Sequence, residues 1–274
     1  MTDSPLVRKV SAARWDVVLN REDNRNALSA ELVEELTGCL AAARAEGIGL
    51  LVLRSSGRVF SAGLDLSDLD GETDATLSLR LARISMLLET VRRAPYLTVA
   101  LLEGPAVGAG ADLALACDLR MGTEAASFRF PGLRFGLVLG TGRLAELVGE
   151  AFALDLVLTN GVLDSGTARR REVLEVVPNP EHAETILRRW EAAIDRLPPG
   201  ALHELLGAVR LTRQAGDGVA EAVRTSAGIP GLQQRIAGYR KAANNGTERQ
   251  HRGDLTGHPA PDRPGDRTGG TSHG

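Results

Sequence analysis

Apolar side chains fall along this chain in two rhythms. WDVVLN at 15–20, GLLVLRSS at 49–56 and LTVALLEG at 97–104 are short, dense apolar runs, the pattern of strands buried in a sheet. Between them the apolar positions spread to helical intervals. Ser29 is placed to cap a helix that runs to about Arg44, with Leu32, Leu36, Leu40 and Ala43 on one face. Residues 75–93 carry Leu77, Leu81, Ile84, Leu88 and Val91 at alternating steps of four and three, a stripe that packs on a core, and Pro95 ends it. DLRMG at 118–122 and ASFRFPGL at 126–133 read as two further short strands. From 141 onward the spacing is helical, over about 141–159, 166–173, 181–196, 200–215 and 217–241. Strands interleaved with helices and followed by a helical end predict an α/β fold with a helical C-terminal region.

The pattern stops at 244. Residues 244–274 are rich in Gly, Pro and polar side chains and nearly free of apolar ones, so they cannot offset the entropy of ordering and are expected to be disordered. His251, His258 and His273 lie there at irregular spacing and are not expected to be catalytic or to hold a metal.

Composition narrows the function. The chain has 274 residues and a formal charge of −3, with 3% aromatic residues, so neither a phosphate-binding field nor a base-stacking surface is indicated. The bases are nearly all arginine; Lys9 and Lys241 are the exceptions. Cys39 and Cys117 sit in apolar helical settings and are expected to be buried thiols. No run resembles a signal peptide or reaches the roughly 18 apolar residues of a membrane span, so the expected location is cytoplasmic, without nucleic-acid or membrane partners.

The candidate chemistry lies in two glycine-containing turns, each after a strong strand: VFSAGLDLSDLD at 59–70 and GPAVGAGADLALACDLRMG at 104–122. In the second, Gly108 and Gly110 bracket Ala109, and Asp112 follows at the mouth of an apolar helix. Taken alone, the stretch is compatible with a phosphate loop, a packing turn or an oxyanion hole. The phosphate readings fail because GAGADL lacks the third glycine of G-x-G-x-x-G and no G-K-[ST] is present. A packing turn does not explain the matching turn at 61–65.

Together the two turns resemble the crotonase (enoyl-CoA hydratase/isomerase) superfamily, with its F-x-A-G-x-D and G-x-x-x-G-G-G-x-x-L-x-x-x-C-D motifs. VVLNREDNRNALSAELVEEL at 17–36 and ASFRFPGLRFGLVLGTGRLAELVG at 126–149 look like two further motifs of that family. The resemblance implies a crotonase/ClpP-like spiral of ββα units over 1–190, a helical oligomerisation region over 191–243, and a homotrimer or homohexamer. It also implies an acyl-CoA substrate, with coenzyme A entering as the thioester and no separate cofactor.

By position, the resemblance places a thioester carbonyl between the main-chain N–H groups of Leu64 and Ala109. Ala62, Gly63, Gly108 and Gly110 would shape the two turns. Ala109 stands where the family has glycine, so its methyl requires a negative φ. Asp112 aligns with a family acid that serves as base or acid; a dipole-stabilised carboxylate in a first helical turn is the plainer reading. Gly132 stands where hydratases carry a second glutamate, which disfavours ordinary hydration and leaves isomerisation, decarboxylation or elimination. If 128–135 were one strand, Phe130, Gly132 and Arg134 would share a face, and Arg134 could bind a substrate carboxylate; a surface arginine is the alternative. Asp65 and Asp118 are expected to cap turns, Arg143 to hold a helix terminus, and His182 and His203 to face solvent. Two rival functions remain at this level: a non-catalytic partner subunit of the same fold, and a hydrolase of free diketones that needs no CoA.

Overall fold

The computed structural model describes residues 6–210 and 218–253. In chain order the elements are β1 (Leu6–Lys9), β2 (Arg14–Leu19), α1 (Ala30–Ala45), β3 (Leu50–Ser55), α2 (Asp74–Arg92), β4 (Leu97–Leu102), β5 (Pro105–Val107), α3 (Ala109–Ala116), β6 (Leu119–Gly122) and β7 (Ser127–Arg129). They continue with α4 (Thr141–Val148), α5 (Glu150–Thr159), β8 (Val162–Asp164), α6 (Ser165–Arg170), β9 (Glu175–Val176), α7 (Pro180–Ile194), α8 (Ala201–Arg210), α9 (Gly218–Ala227) and α10 (Leu232–Gly253).

The main sheet has the order β1-β2-β3-β4-β6-β9. Its first pair is antiparallel and every other pair is parallel. Strand alternation divides its side chains between two cores. Trp15, Val17, Leu19, Leu51 and Leu53 pack with α1, α2 and α3 on one face. Leu50, Val52, Val99, Leu101 and Met121 pack with Ala183, Ile186 and Leu187 of α7 on the other. Both faces are covered, which is why these strands read as unbroken apolar runs. Arg14, only 1% exposed, is paired with Asp16 at 2.8 Å and Glu184 at 2.9 Å, and so ties β2 to α7. The ββα repetition and the helical end are those that the resemblance implied.

A second sheet, β5-β7-β8, stands after the main strands. Ser61 forms a parallel bridge with Ala106 of β5, and the Phe60 N–H donates to the Pro105 carbonyl at 2.9 Å. The two glycine-containing turns are thereby laid side by side.

Several expected elements are corrected. The strand expected over 126–133 ends at Arg129; Pro131–Phe135 is a turn of 3-10 helix instead. Pro131 begins that turn, and the Leu137 and Gly136 N–H groups close it onto the Gly132 and Leu133 carbonyls. The shared face of Phe130, Gly132 and Arg134 therefore does not form. The helix expected over 141–159 breaks at Gly149, whose φ of +85° leaves helical space and separates α4 from α5. That expected over 217–241 breaks between α9 and α10 at a segment containing Pro230 and Gly231. The part of 200–215 beyond Arg210 lies outside the described residues.

The C-terminal helices return to their own chain. Val223, Ala227, Leu232 and Ile236 join Leu69, Leu77, Leu81 and Leu137 in a third core. Helix α10 runs on to Gly253, ten residues into the segment expected to be disordered, because extending a formed helix fixes one residue per added hydrogen bond. Residues 254–274, with His258 and His273, lie outside the described residues. Cys39 is half-buried and Cys117 buried, and both are free thiols. Among the described residues no helix is long and apolar enough to cross a membrane.

Candidate active site

The first turn is held by Leu28. Its N–H donates to the Gly63 carbonyl at 2.7 Å and its carbonyl accepts from the Asp65 N–H at 3.2 Å. Parallel pairing of this kind uses the neighbours of Leu64, so the N–H of Leu64 itself faces the other way. Gly63 adopts φ +86°, and a Cβ built on it would lie 2.5 Å from the Val107 carbonyl oxygen and 3.2 Å from the Ala109 nitrogen. No other residue permits both that backbone conformation and that approach, so Gly63 fixes the closeness of the two turns.

Asp65 anchors the same turn from below. Burial pushes its carboxyl up, but the Ser67 N–H at 2.9 Å and Arg21 at 2.7 Å outweigh this and hold it below the usual carboxylate range. Asp118 is likewise held down, with Arg210 and Thr98 outweighing burial, and it fastens α8 to the start of β4. Arg143 donates to the Leu115 carbonyl at 3.1 Å and so holds the last turn of α3. His182 and His203 are exposed on α7 and α8.

The second turn ends in α3. Gly108, at φ +53°, precedes the helix and its N–H is taken by the Arg129 carbonyl at 2.8 Å. Ala109 is the first helical residue and is absent from the positive-φ positions, so its methyl is accommodated. As the first residue of the helix, its N–H has no intrahelical acceptor. Among the described residues no protein group accepts from the N–H of Leu64 or of Ala109. Gly110 packs against Ser61, where a Cβ would fall 2.6 Å from the Ser61 side chain.

Ala109 and Asp112 are three residues apart and share a face of α3. Together with Leu64 they border a cavity of about 210 Å³. Ala62, Gly108 and Gly132 line it too, whereas Gly63 and Gly110 sit behind its wall. Arg134 is exposed on the 3-10 turn and does not line it. The rest of the wall is mostly apolar. It draws Leu81 from α2, Val157 from α5, Phe135 and Leu139 from the 130–140 segment, and Tyr239 from α10.

Among the described residues Asp112 is the only carboxylate in that wall, and it is 6% exposed. Its Oδ1 is buried without a hydrogen-bond partner. Burial pushes its carboxyl up to about 7, with the Gly140 backbone amide offsetting part of the rise. An acid so placed is divided between its two forms near neutral pH, which suits taking a proton and returning it. The Gly132 position, where a second acid would stand, is tight: a Cβ there would lie 3.0 Å from the Leu137 carbonyl oxygen.

Tyr239 and Gly140 belong to this cavity and were missed from the sequence. The signal for Tyr239 was present: Leu232, Ile236 and Tyr239 continue one apolar stripe at steps of four and three. The signal for Gly140 was only a turn, with nothing to say what it faces. No group of three or more His, Cys, Asp or Glu side chains that could hold a metal occurs among the described residues.

Known proteins resemble this chain in sequence and fold. The model of the enoyl-CoA hydratase/isomerase family matches residues 11–221. A probable enoyl-CoA hydratase of Mycobacterium bovis is 34% identical over 189 residues, covering 68% of this chain and 74% of that protein. Human enoyl-CoA hydratase domain-containing protein 2 is 31% identical over 205 residues, covering 72% of this chain and 70% of its own. The crystal structure of a candidate enoyl-CoA hydratase/isomerase from Bordetella parapertussis superposes with a TM-score of 0.81 at 38% identity, covering 86% of this chain and 97% of that one. The chain belongs to the enoyl-CoA hydratase/isomerase family.

Proposed function

We propose that the cavity binds the acyl group of an acyl-CoA thioester and stabilises its enolate. What supports this reading is that Leu64 and Ala109, whose N–H groups have no protein acceptor among the described residues, line the same cavity as the buried carboxyl of Asp112. A thioester oxygen seated between two fixed amides is stabilised as charge builds on it, without solvent having to reorganise. The Ala109 amide adds the dipole of α3. Asp112 takes the α proton, and its intermediate acidity lets it return the proton elsewhere on the chain.

With Gly132 in place of a second acid, no second carboxylate among the described residues lines the cavity to activate water while Asp112 serves the α carbon. The reading therefore favours double-bond isomerisation, decarboxylation or elimination over hydration. Ala62, Gly63, Gly108 and Gly110 act by shaping the backbone. The exposure of Leu205 and Val209 on α8, each above half, supports assembly with further copies of the chain, which the reading takes as a trimer or hexamer.

The test is exchange of the α protons of a saturated acyl-CoA with deuterium oxide, followed by proton NMR. Exchange requires the enolate and a base but no complete reaction. Wild type is expected to exchange well above the uncatalysed rate, and Asp112→Asn to lose that exchange while still binding the thioester. Absence of both exchange and acyl-CoA binding in the wild type would overturn the reading.

A further inference from the structure

The polar side chains that line the cavity are those of Asp112, Thr141 and Tyr239, beside the Leu64 and Ala109 main chain. The Leu64 and Ala109 amides and Asp112 serve the thioester and its α carbon. The phenol of Tyr239, on α10, has no such assignment. Its ring lies 5.3 Å from that of Phe135, tilted by 52°. Phenylalanine would satisfy that packing equally well. Among the described residues no group is hydrogen-bonded to the Tyr239 hydroxyl.

Helix α10 is tied to the body of the fold at several points. Asp74 of α2 accepts from the Gly231 N–H at 2.6 Å and the Gln233 N–H at 2.8 Å, satisfying donors at the helix start. Arg235 donates to the Phe135 carbonyl at 3.0 Å, and also to the Pro230 and Ile229 carbonyls at 2.6 and 3.1 Å. Arg240 donates to the Leu66 carbonyl at 2.9 Å. Phe135 and Leu66 are both cavity residues. These bonds fix the height of Tyr239 against the wall it completes.

We propose, resting on the acyl-thioester reading above, that Tyr239 is a specificity residue. It donates a hydrogen bond to an oxygen carried on the acyl chain, so the substrates are hydroxy- or oxoacyl thioesters. The physical reason is desolvation. A plain alkyl chain filling the cavity strips water from the phenol and leaves the donor unsatisfied. A chain with an oxygen acceptor replaces that water. Arg235 is the positioning residue for Tyr239.

The experiment compares binding of saturated acyl-CoAs with that of their 3-hydroxy, 3-oxo and terminal-hydroxy counterparts of equal chain length. The chains are the full-length wild type, Tyr239→Phe and Arg235→Gln, with dissociation constants measured by calorimetry. In the wild type at least one oxygenated probe is expected to bind about ten-fold more tightly than its saturated partner. Tyr239→Phe is expected to bring that ratio to near one while leaving saturated binding intact, and Arg235→Gln to lower it. A wild-type ratio near one for every pair, or a ratio that survives in Tyr239→Phe, overturns the assignment. Loss of saturated and oxygenated binding together in Tyr239→Phe makes its role structural, and also overturns it. If no thioester binds the wild type at all, the acyl-thioester reading itself has failed, a result distinct from these.

Discussion

Gly140 lies so close against Asp112 that a Cβ on it would collide with Oδ1 and crowd Cγ and Cβ of the carboxyl. The glycine that precedes α4 is thus the floor on which the cavity's one acid rests. Its backbone, at φ −94° and ψ 12°, is open to any residue, so the constraint is space and not conformation.

Gly140→Ala is therefore expected to displace Asp112. Strain of this kind costs about 1–3 kcal/mol, and the melting temperature should fall accordingly. α-Proton exchange should fall further than stability does, since the acid moves from its place. Thermal denaturation and the exchange assay on one preparation check both. A variant that melts and exchanges as wild type would show that Asp112 does not depend on this contact.

Asp112 also sets a pH dependence. Its folded pKa of about 7 lies above the ordinary aspartate value of 3.8. Between these values the folded chain retains a proton that the unfolded chain has lost, so the stability contribution is full below about 4 and is lost as pH rises through about 7. Asp112→Asn removes this term. The variant should gain stability relative to wild type at pH 8, by up to about 4 kcal/mol as an upper bound, and little at pH 4. Urea denaturation of both proteins at the two pH values measures the difference. An equal difference at both would place the carboxyl's titration elsewhere.

Ala109→Pro isolates a single hydrogen-bond donor. Ala109 is the first residue of α3, where proline fits the helix and removes only an N–H that the helix does not use. Stability should change little. Turnover or α-proton exchange should fall by about 10²–10³, the loss typical for one oxyanion donor. Retention of full activity in a folded Ala109→Pro protein would remove this amide from the chemistry.

Gly63→Ala tests the closeness of the two turns. It forces a side chain into φ +86° and onto the Val107 carbonyl. A cost of at least about 1–3 kcal/mol is expected. Acyl-CoA binding should weaken, because the Leu64 and Ala109 amides can no longer keep their spacing. Unchanged melting and binding would mean that the turns are held together elsewhere.

Much of this is legible in the sequence. The apolar runs at 15–20, 49–56 and 97–104 are β2, β3 and β4, because a strand covered on both faces must be apolar throughout. Ser29 caps α1, accepting from the Leu32 N–H, as its position indicated. The paired turns were visible because glycine is required where backbones meet. The errors came where local pattern and tertiary packing disagree. Alternation through 126–133 suggested a longer strand, but Pro131 turned the chain and left Arg134 in solvent. Continuous helical spacing concealed the breaks at Gly149 and near Pro230.

By itself the sequence determined the alternating elements, the family and the two turns, since these rest on spacing and residue type within short stretches. Only the tertiary structure decided that Leu64, Ala109, Asp112 and Tyr239 border one cavity, and that Oδ1 of Asp112 is buried without a hydrogen-bond partner. Those properties arise from groups distant in the chain excluding water from one another, and no local pattern records which surfaces will meet.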